Sequence, residues 1–241
     1  MATQADPLDI VLGASKAILF DFDGPICDVF RGLPASGVAE RLADLLTALT
    51  PALEPRARAT DDPMEIHRLS QGGGGAVLEE IEAALTAAEV QAVKSAGAPT
   101  EGGFEALRAA RYAGRRVAVV SNNSSDCVRE YLTLHGLGGF VDEVVGRPLL
   151  RPDLMKPSPH PLLTAISALG VGPEAAVLVG DSVTDIEAAH AAGAMSVGYA
   201  NKAPKEMLLL EAGAGVVVLR MQEIADSLNC NKRDLFSESG E

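Results

Sequence analysis

One short stretch constrains the fold of this chain more than any other. Residues Ala17 to Asp28 read AILFDFDGPICD, and the first four are apolar without interruption. Such a run predicts a strand that is buried on both faces of a parallel sheet. Asp21 and Asp23 follow the run, and Gly24-Pro25 then breaks the regular backbone. Two carboxylates therefore stand at the carboxyl end of a predicted buried strand, which is where open α/β sheets place their ligands.

The second half of the chain alternates between helical and strand patterns. Apolar runs predict strands at Arg116–Val120, Val141–Val145, Ala175–Val179, Met195–Tyr199 and Val216–Leu219. Amphipathic spacing predicts helices at Phe104–Tyr112, Asp126–His135, Pro161–Leu169, Ile186–Ala192, Ala203–Ala212 and Met221–Leu228. Such alternation predicts a parallel sheet with helices on both faces. The predicted fold class is therefore α/β, with a three-layer, Rossmann-like core.

The stretch between the first two predicted strands shows helical spacing and no convincing strand. Helices are predicted at Leu33–Leu49, Asp61–Leu69 and Val77–Val93, and the four glycines of residues 72–75 predict a flexible loop. The stretch reads as a helical cap subdomain, residues 29–99, inserted into a core of residues 1–28 and 100–230. Residues 1 to about 15 and 231–241 are expected to be loose tails, with fraying from Asn229.

The composition narrows the class of protein. A formal net charge of −13 opposes nonspecific binding to nucleic acid or to an anionic membrane, although a bound metal ion can reverse the field locally for a small anionic substrate. No apolar run approaches the roughly 18 residues that span a bilayer. The N-terminus lacks the basic region of a signal peptide, and three scattered cysteines do not form a disulfide framework. We therefore expect a cytoplasmic protein, and the composition leaves its oligomeric state open between a monomer and a dimer.

Four polar clusters lie where predicted strands end or predicted helices begin. They are Asp21 with Asp23, Ser121 with Asn122, Lys156 before Pro157, and Asp181 with Asp185. Each cluster alone has an ordinary explanation as a turn, a helix cap or a surface lysine. Three of the four come just after a predicted buried strand. All four in this order are therefore hard to explain as unrelated turns.

These clusters resemble the motifs of the haloacid dehalogenase-like hydrolases, and the resemblance covers nearly the whole chain. Residues 21–24 resemble the first motif, Ser121 the second, Lys156 the third and residues 180–185 the fourth. The helical stretch stands where members of this family that resemble phosphoglycolate phosphatase or beta-phosphoglucomutase carry a helical cap. The chain departs from the pattern at Pro25, where a hydroxylated residue is common. That departure bears on one minor contact near the loop and not on the catalytic residues.

The resemblance implies a Mg²⁺-dependent enzyme that hydrolyses a small-molecule phosphate ester. It implies that Asp21 is the nucleophile, which forms an aspartyl phosphate, and that Asp23 is the general acid and base. The implied phosphate-binding residues are Ser121, Asn122 and Lys156. The implied metal-binding groups are the carboxylates of Asp21 and Asp181, the backbone carbonyl of Asp23, and Asp185 as an outer-shell group or ligand.

Asp23 separates two reaction types within this family. It can protonate a leaving alkoxide and then activate water, whereas a relative that cleaves carbon–halogen bonds typically lacks this residue. Phosphoryl chemistry is therefore favoured over dehalogenation. A sugar phosphomutase stays open as an alternative, for which His67 is the only cap histidine. A non-catalytic binding or regulatory protein on the same scaffold is a second alternative, although the acidic set is complete.

The cap is expected to select the substrate, but its residues are generic. His67, Arg68 and Gly73 are the candidates for substrate contact, and Arg56 and Arg58 are further cations on the same subdomain. Side chains of these types more often solvate a helix face, and a glycine loop more often joins two helices in solvent. The identity of the substrate therefore does not follow from the sequence.

Overall fold

A parallel sheet of six strands forms the centre of the protein, for which the computed structural model describes the backbone of residues 6–237 and the side chains of residues 6–230. The strands are β1 Ala17–Phe20, β2 Arg116–Val120, β3 Glu143–Val145, β4 Ala176–Gly180, β5 Met195–Tyr199 and β6 Val216–Val218. Their order in the sheet is β3-β2-β1-β4-β5-β6. The strand order therefore reverses between β1 and β4, which opens the crevice where sheets of this type bind ligands.

Helices cover both faces of the sheet and also make up the segment between β1 and β2. They are α1 Pro7–Ala14, α2 Ala35–Leu49, α3 Glu54–Ala57, α4 Pro63–Ser70, α5 Gly75–Val93, α6 Gly103–Tyr112, α7 Ser125–Leu134, α8 His160–Leu169, α9 Val183–Ala192, α10 Ala203–Glu211 and α11 Met221–Ser237. In β1, Ile18 and Phe20 pack with side chains of α6, α7 and α11, whereas Ala17 and Leu19 pack with α8 and α9. Alternate residues of a buried strand thus serve two separate cores. This arrangement confirms the predicted three-layer α/β fold.

The segment from α2 to α5, which we call the helical insert, lies between β1 and β2 in the chain. Val38, Leu42 and Leu46 stand one turn apart in α2 and pack against Ile66 of α4 and Ile81 of α5. The insert therefore has a hydrophobic core of its own and, as the sequence predicted, contains no strand. The last turn of α5 returns to the main core, so this helix belongs to both parts of the molecule.

The N-terminal segment differs from the sequence prediction, because residues 7–14 form α1 rather than a loose tail. Asp6 caps the helix by accepting a hydrogen bond from the backbone N–H of Leu8, with an N–O distance of 2.9 Å. Leu8 and Leu12 stand one turn apart and are buried in the main core, beside α11. A helix of only eight residues owes its stability mainly to packing, which the local sequence does not show.

The C-terminal helix is also longer than predicted. The backbone of α11 continues to Ser237, past Asn229, where the sequence predicted fraying. The predicted tail of residues 231–241 therefore begins inside this helix, while residues 1–5 and 238–241 lie outside the described part of the chain. Among the described residues, no helix is both long and apolar enough to cross a membrane.

Candidate active site

The predicted polar residues meet at one edge of the sheet. Asp21 follows β1, Ser121 follows β2 and Asp181 follows β4, and β1 lies between the other two strands. Lys156 comes from the loop after β3, and Asp185 comes from the first turn of α9. The structure thus brings all four predicted clusters together at the reversal of strand order. Because no two of these clusters are close in sequence, the meeting is produced by the fold.

A tight loop after β1 brings Asp23 and the backbone close to Asp181. Gly24 has a φ of +104°, a conformation that L side chains rarely adopt. A Cβ at this position would lie 2.5 Å from the carboxylate of Asp181. The backbone N–H of Val29 donates a hydrogen bond to Oδ1 of Asp23, at 3.0 Å, and fixes the direction of that side chain. Glycine is therefore required where the loop passes the second carboxylate of the site.

A buried lysine joins two of the predicted carboxylates. The Nζ of Lys156 donates hydrogen bonds to Oδ1 of Asp21 at 2.7 Å, to Oδ1 of Asp185 at 2.6 Å and to the backbone carbonyl of Val120 at 3.1 Å. These three bonds use all three protons of the ammonium group. We call Lys156, Asp21 and Asp185 the Lys156 cluster. Oδ2 of Asp21 accepts no hydrogen bond from any residue that the structure describes.

Asn122, predicted to bind phosphate, also holds Lys156 in place. Its Oδ1 accepts a hydrogen bond from the backbone N–H of Lys156 at 2.9 Å, and its Nδ2 donates one to the carbonyl of Lys156 at 3.2 Å. Two such bonds fix the backbone from which the lysine side chain reaches the sheet edge. The loop after β2 therefore positions the loop after β3.

Asp185 owes its place to the cap of α9. Ser182 is the N-cap, and Oδ2 of Asp185 accepts hydrogen bonds from its hydroxyl at 2.7 Å and from its backbone N–H at 3.1 Å. Together with the bond from the backbone N–H of Asp185 to the serine hydroxyl, this is a capping box. The interpretation of this motif as a helix cap is therefore confirmed, and the same carboxylate also reaches Lys156. One carboxylate oxygen serves the cap and the other serves Lys156.

The carboxylates of the site are held in an environment that disfavours their charge. Burial, with Asp185 nearby, raises the pKa of Asp21 well above its usual range, and Lys156 opposes this effect. Burial raises the pKa of Asp23 to about 6, against the hydrogen bond from Val29. Burial also raises the pKa of Asp181, although a nearby lysine opposes it. The described residues therefore leave the negative charge of this site incompletely compensated.

A divalent cation fits this donor set. Carboxylate oxygens of Asp21, Asp181 and Asp185 all lie within 4.8 Å of one another. They are hard oxygen donors of the type that Mg²⁺ prefers. Asp21, Asp23 and Asp181 all line one cavity, which provides space beside these carboxylates. Donor chemistry, uncompensated charge and space therefore agree.

Two residues near Asp181 were not predicted from the sequence. Nζ of Lys205 lies 2.5 Å and Nδ2 of Asn201 lies 3.0 Å from Oδ2 of Asp181. Both follow β5, the strand next to β4, and Lys205 stands in the first turn of α10. Their position after a further predicted parallel strand was the sequence signal that could have indicated them. The sequence around Lys205 does not distinguish it from the other lysines of the chain. These two neighbours of Asp181 thus come from the end of β5 and the start of α10.

The site opens into a cavity of about 610 Å³ between the core and the helical insert. The core contributes Asp21, Asp23, Ser121, Asn122, Asn123, Lys156, Asp181, Ser182 and Thr184. The insert and the segment leading to it contribute Phe30, Ala35, Ser36, Asp61, Asp62, Pro63 and Met64. A small molecule with one end on the core wall would therefore have its other end against the start of α4.

The predicted cap candidates are not among the residues that line this cavity. His67 is fully buried, with Nε2 2.8 Å from Oε2 of Glu82. Arg68 faces Glu65 on its own helix at 3.7 Å. The cavity wall is formed by the N-terminal end of α4, whereas His67 and Arg68 lie near its C-terminal end.

The glycine loop and the remaining cap arginines also lie elsewhere. Residues 71–73 form a 3₁₀ turn and α5 begins at Gly75, so the predicted flexible loop is short and compact. A Cβ at Gly73 would lie 2.7 Å from the side chain of Val77 and 2.8 Å from that of Thr50, which shows that this turn packs closely against other residues of the insert. Arg58 pairs with Asp44 at 2.6 Å on the surface, and Arg56 is exposed.

Comparison with known proteins agrees with the fold. The family model for haloacid dehalogenase-like hydrolases matches residues 15–193. The chain belongs to this family. The resemblance to this family that the sequence motifs indicated is thus confirmed, and so is the prediction that the chain is an enzyme of this family. A phosphoglycolate phosphatase from Xylella fastidiosa (strain Temecula1) is 30% identical over 205 residues, which cover 79% of this chain and 83% of that protein.

Two solved structures show the same fold at lower sequence identity. A protein described as a predicted phosphoglycolate phosphatase from Haemophilus somnus 129pt has a TM-score of 0.63 at 20% identity, covering 88% of this chain and 97% of that one. The beta-phosphoglucomutase from Clostridium difficile has a TM-score of 0.62 at 17% identity, covering 90% and 99%. At these identities the similarity bears on the fold alone, and it extends over the core and the insert together.

Proposed function

We propose that this protein hydrolyses a small-molecule phosphate monoester in a Mg²⁺-dependent reaction through an aspartyl phosphate on Asp21. The observation that carries the proposal is the convergence of the Lys156 cluster, Asp23 and Asp181 under one cavity. A second support is the family, whose relatives include proteins named phosphatases. Residues 29–99 would then form the cap that covers the substrate, over a core of residues 1–28 and 100–230.

The groups proposed to hold the cation are the carboxylates of Asp21, Asp181 and Asp185 and the backbone carbonyl of Asp23. Bound there, Mg²⁺ would neutralise negative charge on the phosphoryl oxygens. Lys156 adds a positive charge from the protein itself, because Asp185 and Asp21 raise the pKa of its ammonium group although burial alone would lower it. The hydroxyl of Ser121 and the amide of Asn122, both on the cavity wall, are the proposed donors to the remaining oxygens.

The first half of the reaction transfers the phosphoryl group to Asp21. An oxygen of its carboxylate attacks phosphorus, the bond to the ester oxygen breaks, and the leaving alkoxide takes a proton from Asp23. The ammonium of Lys156, 2.7 Å from Oδ1, favours the ionised carboxylate that attack requires. Because the pKa of Asp23 is raised to about 6, a useful fraction of this acid is protonated near neutral pH.

The second half returns the enzyme to its starting state. Asp23, now ionised, takes a proton from a water molecule whose oxygen attacks phosphorus. The bond between phosphorus and the Asp21 carboxylate breaks, which releases inorganic phosphate. The proton gained by Asp23 restores the acid for the next cycle.

The charges on the cavity wall formed by the insert favour a leaving group that is uncharged or cationic. Asp61 and Asp62 lie on this wall, and the cavity-lining residues among those described include no cation on the insert side. A second anionic group on the substrate, such as a carboxylate, would approach two like charges and be repelled. We therefore propose that the substrate carries no second anionic group, in contrast to phosphoglycolate.

Asp61→Asn should raise kcat/KM for phosphoglycolate about fivefold and leave kcat/KM for glycerol phosphate unchanged, since one exposed charge contributes about 1 kcal/mol or less.

The phosphomutase alternative has weaker support. It depends on a group from the cap that handles a substrate hydroxyl, and the single histidine of the insert is buried against Glu82 rather than facing the cavity. The hydrolase therefore remains the function that the geometry supports best. The non-catalytic alternative would require that an intact set of catalytic groups has no activity, which an assay decides.

Phosphate release from a panel of small phosphate esters, with and without Mg²⁺, tests the proposal. We expect metal-dependent release that Asp21→Asn reduces by about 10⁴-fold or more. Asp126→Asn is the matched control, since it changes an exposed aspartate on α7 outside the cavity. Release that survives Asp21→Asn would contradict the assignment of the nucleophile. No release from any ester by the wild-type protein would contradict the proposed function.

A further inference from the structure

A second buried group of charges lies behind the cavity, where the helical insert meets the core. It consists of Arg147, in the loop after β3, and of Glu82 and Glu89 on α5, and we call it the Arg147 cluster. The guanidinium lies 2.7 Å from Oε1 of Glu82 through Nη2 and 2.8 Å from Oε1 of Glu89 through Nη1. The side chains of Arg147 and Glu89 are completely buried. The sequence singled out none of these residues.

The Arg147 cluster holds the loop that carries the proposed phosphate-binding residues. Oε2 of Glu89 accepts a hydrogen bond from the backbone N–H of Ser124 at 2.9 Å, and its Oε1 accepts one from Nδ2 of Asn123 at 3.2 Å. Nη1 of Arg147 donates to the backbone carbonyl of Asn122 at 3.0 Å. The loop after β2 is therefore fixed from behind by two charged side chains that do not line the cavity.

One further bond connects this network to the proposed phosphate donor. The hydroxyl of Ser121 lies 3.2 Å from Oδ1 of Asn123 and accepts a bond from the backbone N–H of Asn123 at 3.1 Å. The same Asn123 amide donates to Glu89. The orientation of the serine hydroxyl is thus set, through one asparagine, by a glutamate of the insert helix.

The network also reaches the opposite wall of the cavity. Oε2 of Glu82 lies 2.8 Å from Nε2 of His67 on α4, and Nη1 of Arg147 lies 3.7 Å from the sulfur of Met64. Met64 lines the cavity on the insert side. A single guanidinium therefore contacts both the loop that binds the proposed substrate and the helix that covers it.

Stability alone is a weak reason for such a cluster. Burying an ion pair costs desolvation, and well-packed apolar residues of similar size are often as stable or more stable. What charged, hydrogen-bonded groups add is a fixed geometry, because a guanidinium fork matches carboxylates only in particular orientations. The network is therefore suited to hold two walls of one cavity in register.

We propose that Glu89 and Arg147 are positioning residues, which hold the loop of residues 121–124 and the start of α4 in the geometry that binds the phosphoryl group in the transition state. This inference rests on the proposed function, since it assigns a role in that same site. Neither residue touches the substrate or exchanges a proton with it.

Glu89→Gln is the decisive variant. The amide keeps the volume and one acceptor, but its NH₂ group cannot accept a hydrogen bond, so the contact with either Ser124 or Arg147 and Asn123 is lost. We expect kcat to fall about 10- to 100-fold with KM changed less than threefold, and inhibition by orthovanadate to weaken by a similar factor. Glu80→Gln, an exposed glutamate on the same helix, is the matched control.

Arg147→Lys and Arg147→Met provide the second measurement. Lysine keeps the charge without the fork, so we expect it to restore part of the kcat that methionine removes. Thermal unfolding of every variant is recorded, and kinetics are measured well below each midpoint. A lowered midpoint with unchanged kcat and vanadate inhibition would show a structural role only and would overturn the inference.

Failure of the inference is distinguishable from failure of the proposed function. If the wild-type protein hydrolyses no ester, the proposed function fails. If the wild-type protein is active and folded Glu89→Gln retains its kcat and its vanadate inhibition, the inference alone fails.

Discussion

Two buried clusters of this protein have the same composition and different surroundings. The Lys156 cluster and the Arg147 cluster each contain one cation and two carboxylates, and both are almost inaccessible to solvent. The first forms part of the floor of the cavity, whereas the second lies behind the cavity at the junction of insert and core. Their difference lies in which atoms still lack a partner.

In the Arg147 cluster every carboxylate oxygen has a close polar neighbour. Arg147, His67, Asn123 and the backbone of Ser124 account for all four oxygens. In the Lys156 cluster, Oδ2 of Asp21 accepts no hydrogen bond from the residues described. A cluster in which every carboxylate oxygen has a polar partner holds its neighbours in one arrangement. A cluster in which one carboxylate oxygen accepts no hydrogen bond can use that oxygen to attack a substrate or to bind a ligand.

The largest expected effects come from replacing the two cations. Lys156→Met and Arg147→Met should each cost about 3–5 kcal/mol of unfolding free energy, because each leaves two buried carboxylates without their cation. Mg²⁺ should restore much of the loss only in Lys156→Met, since the proposed metal site includes carboxylates of that cluster. This variant should also lose about 10³-fold in kcat. Denaturant unfolding of both variants with and without Mg²⁺ measures this difference. An equal gain in unfolding free energy from Mg²⁺ in the two variants would contradict the proposed difference between the clusters.

A smaller effect is expected from the proposed acid. Asp23→Asn should keep Mg²⁺ binding and lose about 10²-fold in kcat for an alkyl phosphate, because an alkoxide needs a proton to leave. Turnover of nitrophenyl phosphate, whose leaving group is stable without a proton, should fall much less. Asp28→Asn, an exposed neighbour, serves as the control. Near-wild-type hydrolysis of the alkyl phosphate would remove Asp23 from this role.

The Arg147 cluster should also make the unfolding free energy depend on pH. Burial alone would raise the pKa of Glu82, but His67 and Arg147 lower it from an ordinary 4.5 to about 2. A lowered carboxyl pKa stabilises the fold above pH 4.5, and this contribution, on the order of 2–3 kcal/mol, is lost as the pH falls towards 2. The difference in unfolding free energy between wild type and Glu82→Gln should shrink over that range. A difference that stays constant with pH would contradict the assignment, and Glu79→Gln, exposed on α5, is the control.

The sequence predicted the Lys156 cluster and missed the Arg147 cluster for a physical reason. Asp21 follows an unbroken apolar run, and the ends of parallel strands meet at one edge, so its partners were expected there. Glu82 and Glu89 lie seven residues apart in an Ala- and Glu-rich helix, where acidic side chains normally face water. Their cation stands 65 and 58 positions further along the chain, and no local pattern connects residues at such a separation.

The same limit applies to the residues of the insert. His67 is a polar residue on a short amphipathic helix, which suggested access to a ligand, yet it is buried because Glu82 of the next helix supplies its partner. Met64 and Asp61, three and six residues earlier, form the wall instead. Helix bounds followed from spacing, whereas the face that a helix turns to the cavity depends on how the helices of the insert pack against each other.

The oxygen of Asp21 that accepts no hydrogen bond is the atom that we propose takes up the phosphoryl group. Borohydride reduction of an aspartyl phosphate converts that aspartate to homoserine, which peptide mass spectrometry locates. We expect homoserine at position 21 when the enzyme is quenched during turnover of a phosphate ester in Mg²⁺, and none when the ester is omitted. Homoserine at another position, or none at position 21 in an enzyme that is turning over, would contradict the account.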